Sequence, residues 1–221
     1  MNKAEICSRY AALPTAVIAD VYDENEWEVT ALDYRITRKT SHVQRVAGFA
    51  ETLEGALSTE KGGDTWKLEI VDNFSEHAVA VWAGTNADGF CLFGDLIAST
   101  MKKRGVAGAI VDGGFRDVEE ISNMEFPVFA RYVSPVQSIG RWRVTKSNTP
   151  VRIKGATGGY VTVHPGDFVL GDEDGVMVIQ QARIMSVLER AEAIVAQEAE
   201  QRKAAEEGMS AAEMLEKFGH V

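Results

Sequence analysis

The stretch from residue 95 to residue 130 alternates helix and strand signals, and this constrains the fold more than any other feature of the chain. DLIASTMKKR, residues 95–104, sets apolar Leu96, Ile97 and Met101 at helical spacing and finishes on basic residues, which suit a helix C-terminus. Gly105 follows as a stop signal. VAGAIV, residues 106–111, is an apolar run of strand length. Asp112-Gly113-Gly114 predicts a turn, Asp117 opens another short helix, and Pro127 to Ala130 form the next strand. Strands joined through helices pair in parallel, with the helices covering the sheet. The fold class is therefore α/β.

The flanks extend this pattern. Leu13-Pro14-Thr15 reads as a helix start with Thr15 as the cap, followed by Ala16, Val17, Ile18 and Ala19. Residues 43–56 predict an extended segment broken at Gly48 and ending near Gly55. Lys61-Gly62-Gly63 marks a turn. Residues 64–72 suit a short helix, although the alternation in WKLEIV also permits a strand. AVAVWA, residues 78–83, is a short β-like apolar run closed by Gly84. From residue 142 short β runs follow at 142–145, 151–153, 159–163, 167–170 and 176–179. Asn148-Thr149-Pro150, Gly158-Gly159, Pro165-Gly166 and Asp174-Gly175 punctuate them, which predicts a compact second β layer. Residues 180–207 read as one long helix ended by Gly208, with a last short helix over 210–217. The expected architecture is a mixed sheet, two β layers and outer helices. A body over 1–180 is followed by a helical extension over 181–221 that packs on the body or on a neighbouring subunit.

Composition narrows the function classes. The formal net charge is −10, and such a surface repels nucleic acid. No run approaches the ~20 apolar residues of a membrane span, and MNKAEICSRYAALP lacks a secretory apolar stretch. The expected location is the cytoplasm. Cys7 and Cys91 lack CxxC spacing and are expected to be reduced thiols. Neither a GxGxxG fingerprint on a strand–helix turn nor a GxxxxGK[ST] loop is present.

Two segments carry the candidate chemistry. Gly94-Asp95-Leu96-Ile97 stands at a helix start, where the first amides lack intrahelical partners and favour an anion. Gly94 leaves room for an anion to reach the amides of Leu96 and Ile97. Asp95 suits either an ordinary cap or a carboxylate that holds a catalytic water. The second segment is DGGFRD, Asp112 to Asp117. Arg116 offers a fork matched to a carboxylate or an enolate oxygen, and Asp117 a hard oxygen ligand for Mg2+ or Mn2+. An ordinary surface pair, with Asp117 capping the next helix, uses the same residues. The residues alone imply an anion site that a metal would suit.

The stretch GDLIASTMKKRGVAGAIVDGGFRDVEEISNMEFPVFARYVSP, with the later VTVHPGDFVLGDEDGVMVI, resembles a known family. It is the family of 4-hydroxy-4-methyl-2-oxoglutarate and 4-carboxy-4-hydroxy-2-oxoadipate aldolases, which includes the regulator of ribonuclease activity A. The likeness runs from about residue 13 to 208 and is strongest over 94–135 and 160–180. It implies a swivelling β/β/α-type fold, a homotrimer or homohexamer, and sites between subunits. It assigns the metal to Asp117, the keto acid to Arg116 and the amides of Leu96 and Ile97, and a proton-carrying water to Asp95. A glutamate of a neighbouring C-terminal helix, Glu198 with Glu192 and Glu200 as alternatives, would complete the site.

The activity implied is metal-dependent cleavage of a 4-hydroxy-2-oxo acid through a pyruvate enolate, with oxaloacetate decarboxylation as a side reaction. Residues 61–86 and KGATGGY at 154–160 depart from the family pattern and bear on the substrate's distal end. Two other classes compete. A Schiff-base aldolase needs a lysine of depressed pKa, for which Lys67 is the candidate, although WKLEIV predicts it on an exposed face. The ribonuclease-regulator branch would act by binding protein alone. His42, His77, His164 and His220 show no ligand spacing, Trp142 and Phe168 read as core, and Asp167 as a turn residue.

Overall fold

The computed structural model describes residues 2–84 and 87–218. Helices α1 (Lys3–Ala11) and α2 (Thr15–Glu24) open the chain. Strands β1 (Thr37–Arg38) and β2 (Val46–Leu57) follow, then α3 (Thr65–Asp72), β3 (Ala78–Gly84), α4 (Asp95–Lys103) and β4 (Gly108–Phe115). Next come α5 (Val118–Asn123), β5 (Val128–Val133) and β6 (Trp142–Ser147). Strands β7 (Val151–Lys154), β8 (Tyr160–Val163), β9 (Phe168–Gly171) and β10 (Val176–Ile179) precede α6 (Ile184–Glu206) and α7 (Ala211–Phe218).

The sheet order is β1-β5-β4-β3-β2-β9-β10, with β6 also on β2. Strands β2 to β5 pair in parallel, for β4 and β5 as the helix–strand alternation over 95–130 predicts, and α3, α4 and α5 make the crossovers. β3 is buried at every position, which its continuous apolar run requires. The outer pairs, β1 with β5, β2 with β9 and with β6, and β9 with β10, are antiparallel. This is the mixed α/β sheet with a long C-terminal helix expected from the sequence.

Three apolar clusters hold it together. One lies under α3, α4 and α5 around Trp82, Phe115 and Trp142. A second fills the space between the sheet and the β7–β8 hairpin, around Ile110, Phe129 and Ile153. The third joins α1, α2 and the first half of α6 to β9 and β10 through Tyr10, Phe168 and Leu188. Trp142 and Phe168 are thus core residues. Asp167 serves its turn: one oxygen accepts from the His164 amide and the other from the Gln181 amide, at 2.8 and 3.0 Å.

Several expectations are corrected. Thr15 does not cap α2; it is the helix's first residue, and its amide and hydroxyl both donate to the buried Asp172 carboxylate, at 2.8 and 2.6 Å. A long-range carboxylate supplies the acceptor that the local sequence lacks. β2 runs unbroken through Gly48; its antiparallel partner changes from β9 to β6 between Phe49 and Leu53, and the bulge lies between Glu54 and Gly55, within the β6 pairing. Asp112-Gly113-Gly114 is no turn. It lies inside β4, where the register with β5 slips between Val111 and Gly114. Tyr132 lies so close to Gly114 that any Cβ would overlap its ring, so the pair of glycines serves close approach within a bulge. Only β7 and β8 form a separate layer; β6, β9 and β10 join the main sheet. The 64–72 segment is a helix, with Asp64 accepting from the Lys67 amide at its start.

Candidate functional site

The C-terminal end of β4 and the N-terminus of α4 meet at Asp117. Asp117 occupies the cap position of α5 in the left-handed region, φ 60° and ψ 47°, without capping it. Aspartate tolerates this conformation better than most residues. Its carboxylate turns instead to α4: Oδ2 accepts from the Asp95 amide at 3.1 Å and from Arg116 Nε at 3.3 Å. Oδ1 has no partner among the described residues. The backbone is stitched alongside: the Leu92 amide donates to Gly114 O and the Arg116 amide to Phe93 O, at 2.8 and 3.1 Å.

Gly94, not Asp95, is the cap residue of α4, and no side chain caps that helix. Gly94 is required by crowding, because a Cβ there would overlap Asp117 Oδ2 and lie 3.1 Å from Arg116 Nε. Asp95 is the first helical residue, where a carboxylate complements the helix dipole. The Asp95 amide is spent on Asp117, which leaves the amides of Leu96 and Ile97 for an external acceptor. The structure therefore brings Gly94, Asp95, Leu96, Ile97, Arg116 and Asp117 into one place. The Arg116 side chain is partly exposed, with its two terminal nitrogens unpartnered among the described residues.

The C-terminal glutamates lie outside this group in the single chain. Glu198 pairs with Arg202 at 3.2 Å, and Glu192 is held by both nitrogens of an Arg9 fork, at 2.6 and 2.7 Å. Glu200 is exposed on α6. Among the described residues no three His, Cys, Asp or Glu groups stand together as a metal cage. The donors do fit a hard cation that keeps most of its water: one aspartate with a free oxygen is the usual protein share for Mg2+. Of the histidines, His42 and His77 take positive φ and His164 joins the Asp167 turn, while His220 lies outside the described residues. Cys7 and Cys91 are free thiols; burial pushes Cys7 up to about 11 and raises Cys91.

Lys67 overturns its expected exposure. It is 8% exposed, its ammonium donates to the Leu92 carbonyl at 3.2 Å, and burial lowers its pKa. The α3 face that carries it is turned inward against α4 and β6, a packing choice that the alternation in WKLEIV does not reveal. A second group escaped the sequence reading altogether. Asp33 is 1% exposed and accepts from both Arg35 and Arg131, and Arg131 also donates to Asp112. Asp112 lies in the DGGFRD motif, but its partners are far away in sequence, and no local signal announces them.

Comparison with known proteins gives a consistent picture. The family model described as RraA-like, Aldolase/RraA, matches residues 15–178. The chain is 29% identical to the "Putative 4-hydroxy-4-methyl-2-oxoglutarate aldolase" of Halalkalibacterium halodurans, over 100% of this chain and 99% of that one. It is 31% identical to Protein DlpA of Legionella pneumophila over 70% of this chain, a match that spans only 24% of that longer protein. Among solved structures, Streptomyces coelicolor RraAS2, described as an unusual member of the RNase ES inhibitor RraA protein family, superposes with a TM-score of 0.74. It covers 91% of this chain and 97% of its own at 20% identity, which is a likeness of fold.

Proposed function

The chain belongs to the RraA-like family, Aldolase/RraA, and from that premise we propose that it is a divalent-metal-dependent lyase that releases pyruvate from 4-hydroxy-2-oxo acids. One observation carries the reading. Asp117 holds the start of α4 with one carboxylate oxygen and leaves the other free, with Arg116 beside it. The arrangement joins an anion-binding helix start, a guanidinium and a hard oxygen ligand across 22 residues of sequence.

The chain's own groups divide the work. The free amides of Leu96 and Ile97 bind the substrate carboxylate at the positive end of α4. The terminal nitrogens of Arg116 stabilise the negative charge that gathers on the keto oxygen as the C3–C4 bond breaks and pyruvate enolate forms. Asp95, at the first turn of α4, orients the water that takes the C4 hydroxyl proton as the bond breaks and returns a proton to the methylene carbon. Asp117 would hold Mg2+ or Mn2+ through its free oxygen, and the cation supplies Lewis-acid stabilisation of the same developing charge. Oxaloacetate presents the same keto-acid handle, so its decarboxylation to pyruvate is the expected side reaction. Leu96, Val133, Val136 and Ile139 are exposed apolar side chains that a neighbouring copy would cover. This suits a homotrimer or homohexamer in which Glu198 of an adjacent copy completes the site. No helix among the described residues is long and apolar enough to cross a membrane.

The test is pyruvate release from 4-hydroxy-4-methyl-2-oxoglutarate and from oxaloacetate, coupled to lactate dehydrogenase, with Mg2+ and then with excess EDTA. Turnover that needs the metal supports the proposal. No release from either acid under any condition sinks it and favours a protein-binding role.

The burial of Lys67 favours a second reading, a Schiff-base aldolase, because a desolvated amine is the nucleophile such chemistry requires. Borohydride added with pyruvate would then trap a covalent adduct on Lys67, and Lys67→Met would lose all turnover. EDTA-sensitive turnover with no adduct removes this reading.

A further inference from the structure

A large cavity lies away from Arg116 and Asp117. About 890 Å³ of space opens at the C-terminal ends of β3, β4 and β5, under the β7–β8 hairpin. Sheets with parallel strands bind ligands at this end. None of Gly94, Asp95, Leu96, Ile97, Arg116 or Asp117 lines it.

Its charge contrasts with the rest of the molecule. In a chain of net charge −10, five cations and three carboxylates line this space. The arginines on its floor are fixed from behind. Asp33, 1% exposed, accepts from Arg35 at 2.6 Å and from Arg131 at 3.1 Å, and Asp112 takes the Nε of Arg131. These bonds leave Arg35 Nη1 and Arg131 Nη2 without a partner among the described residues. The hairpin forms a second positive wall. Arg152 stacks on Tyr160 with its guanidinium carbon 4.6 Å from the ring centroid, and Lys154 faces Tyr160 across the β7–β8 register. Neither Arg152 nor Lys154 has a carboxylate partner among the described residues. The wall is tied to the floor, because the Asp33 amide donates to the Lys154 carbonyl at 2.8 Å.

From this geometry we propose a second ligand site, for a compact organic acid carrying two or more carboxylates. Guanidinium forks held by buried carboxylates are pre-organised for carboxylate recognition and need little ordering on binding. Two separate positive walls require two anionic groups on the ligand, so a monocarboxylate engages only half the site. Tyr160 adds a hydroxyl and Lys154 a point charge beside the second group. Nothing in this proposal depends on pyruvate-forming chemistry, since no residue assigned to that reaction takes part.

The test is isothermal titration of the full chain, stripped of metal on a chelating resin with no soluble chelator present, with tricarballylate, succinate and acetate, which keeps metal at Asp117 out of the measurement. Tricarballylate should bind, acetate should bind at least about tenfold more weakly, and added salt should weaken both. The double variant Arg152→Ala/Lys154→Ala should weaken tricarballylate by about tenfold or more, the loss expected of one charge-assisted hydrogen bond. Both positions are exposed, so the fold should survive. Arg131 is left intact, because its removal would strand buried carboxylates. Arg116→Ala should bind tricarballylate as wild type does. The proposal is overturned by an absence of tricarballylate binding or by equal affinity for acetate. Undiminished binding in the double variant, or binding lost in Arg116→Ala, overturns it as well.

Discussion

Replacing Gly94 by alanine adds one methyl group where the start of α4 meets Asp117. The backbone there is extended, φ −136° and ψ −161°, a conformation open to any residue, so no backbone strain results. The added carbon would overlap Asp117 Oδ2 and lie 3.1 Å from the Cγ and Nε of Arg116. To reach an ordinary carbon–oxygen separation of roughly 3.3 Å the carboxylate must retreat by about 1 Å. Its bond from the Asp95 amide is already 3.1 Å long, so the retreat carries it past the ~3.2 Å limit of a hydrogen bond. Losing that charge-assisted bond costs about 1.5–3 kcal/mol of stability. In a chain of this size that lowers the thermal midpoint by about 3–12 °C. The catalytic cost is larger in consequence: a displacement of about 1 Å at a reacting group is worth ~10²-fold in rate, about 2.7 kcal/mol of barrier. Metal-dependent pyruvate release should therefore fall about 100-fold in kcat/KM in a variant that still folds. The check is coupled kinetics beside a thermal melt. A folded Gly94→Ala enzyme within about threefold of wild type, less than about 1 kcal/mol of barrier, would refute the reasoning.

Asp117→Ala should abolish metal-dependent turnover with an unchanged far-UV circular dichroism spectrum, and Arg116→Ala should lower kcat by about 10²–10³. Wild-type rates in either variant contradict the site. Asp172→Ala should cost about 1–2 kcal/mol in urea denaturation, since it strips the amide and hydroxyl of Thr15 of their acceptor at the start of α2. Hydrogen bonds from Arg35, and then Arg131, hold the Asp33 carboxyl well below the usual carboxylate range. A depressed acid stabilises the fold fully above its unfolded pKa of about 4 and loses that contribution as pH falls. Wild type should therefore lose stability more steeply than Asp33→Asn below pH ~4; parallel pH–stability curves would remove the argument.

Much of the site was legible because its parts are local. Gly94 to Ile97 is a helix start whether or not anything binds there, and Arg116-Asp117 follows a buried strand within a few residues. Their resemblance to a known family gave the assignment. What stayed illegible depends on partners far away in sequence. Asp33 with Arg35, Asp112, and Arg131 lie on three separate segments and become one network only when β4, β5 and the loop before β1 come together. Lys67 looked exposed because a short amphipathic window does not say which face of α3 the rest of the molecule covers.

By itself the sequence determined the α/β class, the parallel pairing of β4 and β5 and the long C-terminal helix. Each rests on periodic burial and on crossover length, which neighbouring residues set. The tertiary structure decided which β runs share a sheet, that Asp112-Gly113-Gly114 continues a strand, and that Asp172 rather than Thr15 satisfies the start of α2. It also decided that Asp117 turns from its own helix to the start of α4. All of these are long-range pairings. A hydrogen-bonding group accepts whichever partner the folded chain brings within about 3 Å, and that partner is written nowhere in the residues beside it.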